Sequence, residues 1–380
     1  MNILNVNMSL DPVGGGGTAE RTLQISRSLV RAGHYCTILT TDGGLSPDYL
    51  RQCQASGLNV VALPTIWKRF YLPRPSRVPI RNLVAQADMI HLMTHWTLIN
   101  ALVYKNAKDL AKPYVVCPAG ALPIFGRSRV LKSCYNHWIG RDIIRHASHC
   151  IAVSGNEIEH FKSYGVQQEN ISVIPNGISP DDFTTSDGLR FRARYGLGDA
   201  PLILYMGRLN PIKGPDLLLQ AFCSVGRNRT LETHHLVFAG SDEGMLGQLK
   251  SMAQDSGLGG RVHFVGHIVR EEKSDAYRAA DFLAIPSRQE AMSIVVLEAG
   301  ILGTPVLITD KCGFDDVADV SGGMVVEASV EGLKKGLLFM AGATTPLKLM
   351  GRRLETLVRE RYLWDHIVNK YLELFQKIVH

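Results

Sequence analysis

The sequence predicts an α/β protein made of two doubly wound, Rossmann-like domains that face each other across a cleft, each with a parallel sheet. Short apolar runs alternate with amphipathic segments along most of the chain, which is the pattern of repeated βαβ units. The 380 residues are 46% hydrophobic and 20% charged and include 36 glycines, as expected for a globular protein with many tight strand-to-helix turns. This length suits two domains of about 100–200 residues each.

The first series of elements fills residues 1–180. A strand at residues 1–8 is followed by a helix at 18–32, which Gly33 ends. Further strands are predicted at 35–40, 59–63, 89–92, 114–117 and 150–153. The turn formers Pro-Asn-Gly-Ile-Ser-Pro at 175–180 then mark the boundary between the domains.

The second series repeats the alternation. Strands are predicted at 201–206, 235–239, 262–265, 282–285, 306–308 and 323–326, each beside a helical segment, and residues 362–379 have helical periodicity. In such folds ligands bind outside the carboxyl ends of the strands, so the cleft between the domains is the expected active site.

Charge and cysteine content restrict the class of protein. Residues 1–180 carry 18 Lys and Arg against 10 Asp and Glu, whereas the rest carries 23 against 25, so we expect an anionic partner at the first half. The seven cysteines form no CxxC pair, which indicates reduced thiols and neither a disulfide framework nor a zinc site. The N-terminal sequence lacks the features of a signal peptide, and the most apolar stretch, 291–308, is interrupted by Glu298 and Pro305. These features predict a cytoplasmic protein that meets a membrane only at its surface.

A run of four glycines, residues 14–17, lies between the first strand and the first helix. Without Cβ atoms these residues allow a phosphate to approach the backbone and the positive end of the helix. The run also fits a dinucleotide fingerprint through Ala19, but residues 9–13 separate it from the strand and the next acidic residue, Asp42, comes late. A phosphate loop is therefore favoured over a nicotinamide site, and a flexible turn without a ligand is the other alternative.

A basic pair follows the strand at 201–206. Arg208 and Lys213 lie in the loop at its carboxyl end, where a guanidinium and an ammonium can both reach a diphosphate. The alternative is that both side chains are simply solvated.

Two carboxylates accompany the strand at 282–285. Glu290 lies in the loop that follows it, and Glu298 interrupts the apolar face of a helix for which Ser293 is the expected N-cap. Free N–H groups at the start of that helix could hold an anion. A buried Glu298 needs hydrogen-bond donors, which sugar hydroxyls would supply; the alternative is a Glu at the edge of the apolar stripe, satisfied by solvent.

The pattern P-S-x-x-E-x-x-S-x-x-V-L-E-A at 286–299, followed by Gly303-Thr304-Pro305-Val306, resembles the retaining nucleotide-sugar glycosyltransferases of family four. The resemblance covers nearly the whole chain. It includes the glycine run, Ala32-Gly33-His34, Val153-Ser154, residues 173–178, Gly207-Arg208-Leu209 with Lys213-Gly214, and Ala239-Gly240.

The resemblance implies the glycosyltransferase B fold, with residues 1–179 and 364–380 as the acceptor-side domain and 180–363 as the donor-binding domain. It implies that Arg208 and Lys213 neutralise the donor diphosphate without a metal, that Glu290 contacts the donor sugar, and that Glu298 binds the ribose hydroxyls. It assigns further donor contacts to Gly15, Gly16, Gly240, His267, Ile268, Ala291, Met292, Ser293 and Ile294. It implies neither a cofactor nor a dedicated general base.

One position departs from the family pattern. A Pro-His-Gly segment common in the family reads Pro118-Ala119-Gly120 here. His91 is a candidate substitute, since it opens an H-x-H pattern whose second position is Met93. Ala119 raises a second hypothesis, a catalytically silent relative that binds nucleotide or glycan. The third hypothesis is an NAD-dependent oxidoreductase that uses the glycine run.

The basic excess of the first half has two centres, residues 67–81 and 127–146, in which Lys and Arg alternate with aromatic side chains. This mixture suits an anionic membrane surface or a lipid-linked acceptor with a pyrophosphate, whereas a solvated face is the alternative. No nucleic-acid recognition module is present in the sequence. We therefore expect a nucleoside-diphosphate sugar as donor and a glycan or lipid-linked glycan of surface polysaccharide biosynthesis as acceptor.

Overall fold

The computed structural model describes residues 1–11, 15–67, 71–74, 77–124, 128–183, 186–268, 270–343 and 346–379. The chain divides into two compact units: unit 1 is Met1–Gly177 with Trp364–His380, and unit 2 is Ile178–Leu363. Each has its own parallel sheet, so the predicted pair of α/β domains is confirmed. The first boundary predicted from the sequence, after residue 179, lies two residues beyond this division.

Unit 1 contains a seven-stranded sheet and a small hairpin. Its strands are β1 (Asn2–Val6), β2 (Tyr35–Thr41), β3 (Asn59–Leu63), the hairpin β4 (Thr65–Trp67) and β5 (Leu72–Pro73), β6 (Met89–Met93), β7 (Tyr114–Cys117), β8 (His149–Ala152) and β9 (Ile171–Val173). Its first helices are α1 (Gly16–Arg31), α2 (Pro47–Ala55), α3 (Arg77–Gln86), α4 (Leu98–Asp109), α5 (Arg129–Tyr135), α6 (Arg141–Arg145) and α7 (Ile158–Ser163).

The sheet of unit 1 has the order β3-β2-β1-β6-β7-β8-β9, and every neighbouring pair is parallel. Every residue of β6 and β7 is buried, as expected for parallel strands covered by helices on both faces. The order reverses direction between β1 and β6. The loops that follow these two strands therefore flank a topological switch point, where ligands of such sheets bind.

Unit 2 repeats this architecture with six strands. They are β10 (Leu202–Met206), β11 (His235–Ala239), β12 (Val262–Gly266), β13 (Phe282–Ile285), β14 (Val306–Thr309) and β15 (Gly323–Val326). The helices are α8 (Gly188–Tyr195), α9 (Pro215–Val225), α10 (Leu246–Asp255), α11 (Arg270–Ala279), α12 (Ile294–Ile301), α13 (Asp316–Asp319), α14 (Val330–Ala341) and α15 (Leu347–Arg361). The parallel order β12-β11-β10-β13-β14-β15 puts the switch point between β10 and β13.

The last helix, α16 (Trp364–Val379), returns to unit 1. It packs against α1 through an apolar face whose Tyr371 and Phe375 are fully buried. It begins two residues after the start predicted from periodicity. Among the described residues, no helix combines the length and hydrophobicity that crossing a bilayer requires.

Three short strands of unit 1 are not predicted from the sequence. β4, β5 and β9 have only two or three residues each, too few for an alternating or continuous apolar pattern to stand out. The other predicted strands are present, with ends shifted by at most two residues.

Candidate functional site

In unit 2 the loops after β10, β11, β13 and β14 lie at the carboxyl edge of the sheet, around the switch point. Two of them cross at Gly240, where a Cβ would lie 1.8 Å from the carbonyl oxygen of Gly207. Gly214 ends the loop after β10 with a φ of 66°, and a Cβ there would lie 2.1 Å from the carbonyl oxygen of Pro286. Both positions exclude a side chain, so glycine allows these backbone segments to approach each other.

Lys213 and Glu290 form an ion pair at this switch point. Lys213 Nζ is 2.9 Å from Glu290 Oε1, and the side chain of Glu290 is only 8% exposed. The hydroxyl of Ser287 donates to the same carboxylate oxygen. The Glu290 N–H donates to the carbonyl of Lys311 at 2.8 Å, which fixes the loop against the one after β14. The structure thus brings together an ammonium and a carboxylate from loops that are far apart in sequence.

Arg208 belongs to a neighbouring cluster. Its Nη1 is 2.8 Å from Glu243 Oε1, and Asn210 Nδ2 donates to the other oxygen of Glu243 at 2.7 Å. The carbonyl of Arg208 accepts from the Tyr205 hydroxyl at 2.8 Å. Burial, followed by the charge of Glu290, raises the pKa of Tyr205 well above its usual value, so this hydroxyl stays protonated and holds the loop. The guanidinium of Arg208 is about half exposed and accessible to an anionic ligand.

Glu298 lies on α12 with only 7% of its surface exposed, so the alternative of a solvated Glu is wrong. Its two oxygens accept from Lys273 Nζ and from the Tyr277 hydroxyl, each at 2.5 Å. Ribose hydroxyls are the donors expected from the sequence, whereas in the structure each carboxylate oxygen accepts one hydrogen bond from a side chain of α11. A carboxylate oxygen accepts two hydrogen bonds, so capacity for further donors remains.

The N-terminus of α12 adds backbone donors to the site. Ser293 occupies the predicted N-cap, with extended φ and ψ of −78° and 108°. Its own hydroxyl is buried and has no hydrogen-bond partner among the described residues. Ala291 and Met292 precede it, and Ile294 opens the helix, where the first N–H groups lack intrahelical acceptors. A helix start of this kind favours an anion.

Arg288 positions the loop that carries Glu290. Its guanidinium makes two hydrogen bonds to the carboxylate of Asp216, at 2.8 and 2.6 Å, and its Nη1 also donates to the carbonyl of Pro211 at 2.7 Å. Because Asp216 lies in the first turn of α9, this pair ties the loop after β13 to the helix that follows the basic loop.

His267 and Ile268 follow β12, at the far side of the same sheet edge. The side chain of His267 is exposed, whereas Ile268 is 5% exposed. The carbonyl of the preceding Gly266 accepts from the N–H of Gly240 at 2.7 Å. This bond connects the loop after β12 to the point where the loops after β10 and β11 cross. The structure therefore places these residues on the same edge as the other predicted donor residues of unit 2.

In unit 1 the glycine run begins α1. Gly15 is the N-cap, its N–H donates to the carbonyl of Asp11 at 2.8 Å, and Gly16 has a φ of 59°. Gly14 lies outside the described residues. The three described glycines, Gly15, Gly16 and Gly17, stand at the positive end of a 16-residue helix, next to the switch point of their own sheet.

The loop after β7 carries the departure from the family pattern. Ala119 has a φ of 47°, a conformation that non-glycine residues rarely adopt, and the N–H of Gly120 donates to the buried carboxylate of Glu157. The interpretation of His91 as a substitute histidine is wrong. His91 is fully buried in β6, its ring lies 5.5 Å from that of Tyr371, and burial lowers its pKa well below the usual value, so no ligand reaches it.

Sequence reasoning missed the partners of the predicted residues. Glu243, which holds Arg208, lies in a loop with no distinctive pattern. Lys273 and Tyr277 carried a weak signal: they are four residues apart on one helix and therefore share a face. Nothing local links that face to Glu298, since the contact depends on how α11 and α12 pack.

The arrangement combines two cationic side chains, a helix N-terminus and two buried carboxylates at one edge of the sheet. The cationic groups and the N–H groups suit a diphosphate, and the carboxylates suit hydroxyl-rich groups. Within the described residues, no three His, Cys, Asp or Glu side chains are grouped as a metal site would require.

Comparison with known proteins points to the same chemistry. Residues 15–182 match the family model described as Glycosyltransferase Family 4, and residues 190–340 match the one described as Glycosyl transferases group 1. D-inositol 3-phosphate glycosyltransferases are among the similar curated proteins. The one from Jonesia denitrificans is 30% identical over 226 residues, covering 56% of this chain and 53% of that protein. The one from Xylanimonas cellulosilytica is 34% identical over 201 residues, covering 49% and 47%. The chain thus spans about half the length of the curated relatives it matches.

Solved structures share the fold over the whole chain. The Anabaena HepE protein in complex with UDP and glucose superimposes with a TM-score of 0.81 at 17% identity, covering 99% of this chain and 100% of that one. Sucrose-phosphate synthase from Thermosynechococcus elongatus does so with a TM-score of 0.77 at 19% identity, covering 100% and 99%. These are glycosyltransferase B structures, and the two family models together span both units. The chain belongs to glycosyltransferase family 4.

Proposed function

We propose that this protein is a retaining glycosyltransferase that moves a sugar from a nucleoside-diphosphate sugar to a glycan or lipid-linked glycan acceptor. The observation that carries the proposal is the pairing of Lys213 with Glu290 beside the N-terminus of α12, at the switch point of unit 2. Cationic and N–H donors for a diphosphate lie there next to a carboxylate for a sugar. The Anabaena relative, which was solved with UDP and glucose, supports this kind of donor.

In this proposal the donor bond between the anomeric carbon and the diphosphate oxygen breaks. Lys213, Arg208 and the first N–H groups of α12 stabilise the negative charge that develops on the departing diphosphate. The acceptor hydroxyl forms the new bond to the anomeric carbon on the same face and gives its proton to the departing phosphate. The reaction then needs no dedicated general base, no cofactor and no metal beyond these residues.

Glu298 is proposed to bind the ribose hydroxyls of the donor. Lys273 and Tyr277 donate to its two oxygens and keep the carboxylate oriented. Ribose hydroxyls would use the remaining lone pairs. Gly240, His267 and Ile268 would line the nucleoside end, and Gly15 and Gly16 would approach the diphosphate from unit 1.

The acceptor is proposed to bind unit 1, with unit 2 as the donor-binding domain, in surface polysaccharide biosynthesis in the cytoplasm. The basic excess of residues 1–180 supports an anionic acceptor such as a lipid-linked glycan with a pyrophosphate. The curated relatives named above are transferases for inositol 3-phosphate, which also carries a phosphate.

The experiment is a thermal-shift screen of nucleoside diphosphates and their sugars, with UDP-glucose among them. A donor at about 100 times its Kd stabilises the folded state by about 2.7 kcal/mol, which is readily measured. Glu298→Ala should abolish the shift, whereas Glu360→Ala, at an exposed position of α15, should keep it. Absence of any shift with the wild-type protein across the panel would overturn the donor assignment.

A catalytically silent relative is the second candidate, favoured by Ala119 at the position of the family's histidine. It predicts nucleotide-sugar binding without transfer or donor hydrolysis over a broad acceptor panel. A nicotinamide site at the glycine run predicts instead that NAD stabilises the protein and that Glu298→Ala leaves this effect unchanged.

A further inference from the structure

The segment 128–145 of unit 1 exposes an apolar patch. It runs as α5, a π-helical turn at Asn136–Gly140 and α6. Val130, Leu131 and Trp138 are 75%, 61% and 80% exposed, among the largest exposures of any apolar side chain described. Val130 and Trp138 are eight residues apart, so they lie near one side of the helical run, with Leu131 beside them. We call these three side chains the apolar patch.

Basic side chains surround the apolar patch. The segment holds four cations, Arg129, Lys132, Arg141 and Arg145, against one acid, Asp142. Arg129 and Arg141 are exposed, and the spacing of 12 residues between them places the patch between the two charges. Apolar groups between cations match the interface of an anionic bilayer, where the apolar groups enter the acyl boundary and the cations meet the headgroups.

The opposite side of the segment is firmly held. The Tyr135 hydroxyl donates to the carbonyl of Thr97 at 3.0 Å, and Asn136 Oδ1 lies 3.0 Å from His95 Nε2. Asn136 Nδ2 donates to the Tyr164 hydroxyl at 2.6 Å, so the π-helical turn is stabilised by its own side-chain bonds. The patch is therefore presented by an anchored helix and is not the result of a frayed one.

The anchoring contacts also locate the patch. Thr97 and His95 belong to the loop after β6, at the carboxyl edge of the sheet of unit 1. The hairpin of β4 and β5, which follows the carboxyl end of β3, adds Ile66 and Trp67 at 66% and 54% exposure to the same edge. Lys68 and Arg69, which belong to the basic centre at residues 67–81, lie outside the described residues.

We propose that the apolar patch, with Arg129 and Arg141, docks this protein on an anionic lipid bilayer. Docking there would bring lipid-linked acceptors to the carboxyl edge of the sheet of unit 1. The statement about the acceptor rests on the proposed function, whereas the membrane contact does not.

The test is co-sedimentation of the full chain with vesicles of phosphatidylcholine, with and without about 30% phosphatidylglycerol, at about 50 mM salt. The wild type should bind the anionic vesicles, and binding should fall at least fivefold at about 0.5 M salt. Leu131→Ser/Trp138→Ser and Arg129→Glu/Arg141→Glu should each lower the partition coefficient at least about tenfold.

Matched controls come from unit 2. Leu189→Ser/Phe339→Ser removes two apolar side chains that are 72% and 51% exposed, and Arg352→Glu/Arg353→Glu makes the same change of charge on α15. Both controls should bind vesicles as the wild type does. All variants should keep the thermal midpoint and the nucleotide-induced shift of the wild type, which separates this test from that of donor binding.

Three results would overturn the proposal. The first is a wild type that does not sediment with anionic vesicles. The second is a patch variant that binds as well as its control. The third is a wild-type dimer in solution that the Leu131→Ser/Trp138→Ser variant converts to a monomer, since the patch would then be an interface between copies of the chain.

Discussion

Replacing Lys213 by Met should have two effects that arise in different states of the protein. In the resting state, Met leaves Glu290, whose side chain is 8% exposed, with the Ser287 hydroxyl as its described side-chain donor. During transfer, Met removes the ammonium that we propose to stabilise the departing diphosphate. The first effect concerns stability and the second concerns rate, so they can be measured separately.

The size of each effect follows from the contacts. Removing one partner of a fully buried ion pair costs about 3–5 kcal/mol, but Lys213 is itself 27% exposed and water can replace part of the loss. We therefore expect Lys213→Met to lower the free energy of unfolding by about 1–2 kcal/mol. Loss of a charge partner of the transition state should lower kcat by about 10²–10³-fold.

The double variant Lys213→Met/Glu290→Gln separates the two effects. A neutral Gln at position 290 needs no cationic partner, so the free energy of unfolding should return towards that of the wild type while the rate of transfer stays low. Unfolding is followed by urea titration, and the rate by release of the nucleoside diphosphate. Lys334→Met is the matched control: its Nζ is 2.8 Å from Glu331, but that carboxylate is 63% exposed, so the loss should stay below about 1 kcal/mol. A double variant that regains the rate together with the stability would refute the diphosphate role of the ammonium.

Three further predictions follow from the geometry. Gly240→Ala should destabilise unit 2 by about 2–3 kcal/mol in urea titrations, because its Cβ would lie 1.8 Å from a backbone oxygen. The control is Gly247→Ala on α10, where a Cβ meets nothing within 4 Å and no destabilisation is expected. Equal losses of stability in the two variants would show that the close approach at Gly240 does not require glycine. Burial lowers the pKa of His95 to about 4, so between about pH 6.5 and 4 the unfolded chain binds a proton that the folded state does not. The free energy of unfolding should therefore decrease as the pH is lowered through this window, by up to about 3 kcal/mol. A His95→Gln variant with the same pH dependence of unfolding would rule out this origin. Tyr277→Phe should cost about 1–2 kcal/mol in unfolding and weaken nucleotide binding, because it removes a buried donor to Glu298; an unchanged thermal shift would argue against the ribose assignment.

The sequence predicts the fold well because the fold depends on a repeated local pattern. Each main strand is a short apolar run bounded by turn formers, and parallel strands buried on both faces require that pattern. The three strands that were missed are the ones that contain two or three residues, where the pattern cannot appear.

The candidate site was predictable only in part. Lys213, Glu290 and Glu298 stand out because charged residues follow or interrupt apolar elements. Their partners do not, since the contact of Glu298 with Lys273 and Tyr277 depends on the packing of two helices. The error over His91 has the same origin: the incomplete H-x-H pattern makes it look like a site residue until the covering helix α16 is known.

The return of α16 to unit 1 has a consequence for biosynthesis. All of unit 2 is synthesised before α16, whose buried Tyr371 and Phe375 complete the core of unit 1. Domains generally fold as units during synthesis, with the N-terminal one first. Here the ribosome makes most of unit 1 early but releases α16 only after all of unit 2, so unit 2 can fold before unit 1 is complete. Truncation before Trp364 should therefore damage the domain at the opposite end of the sequence.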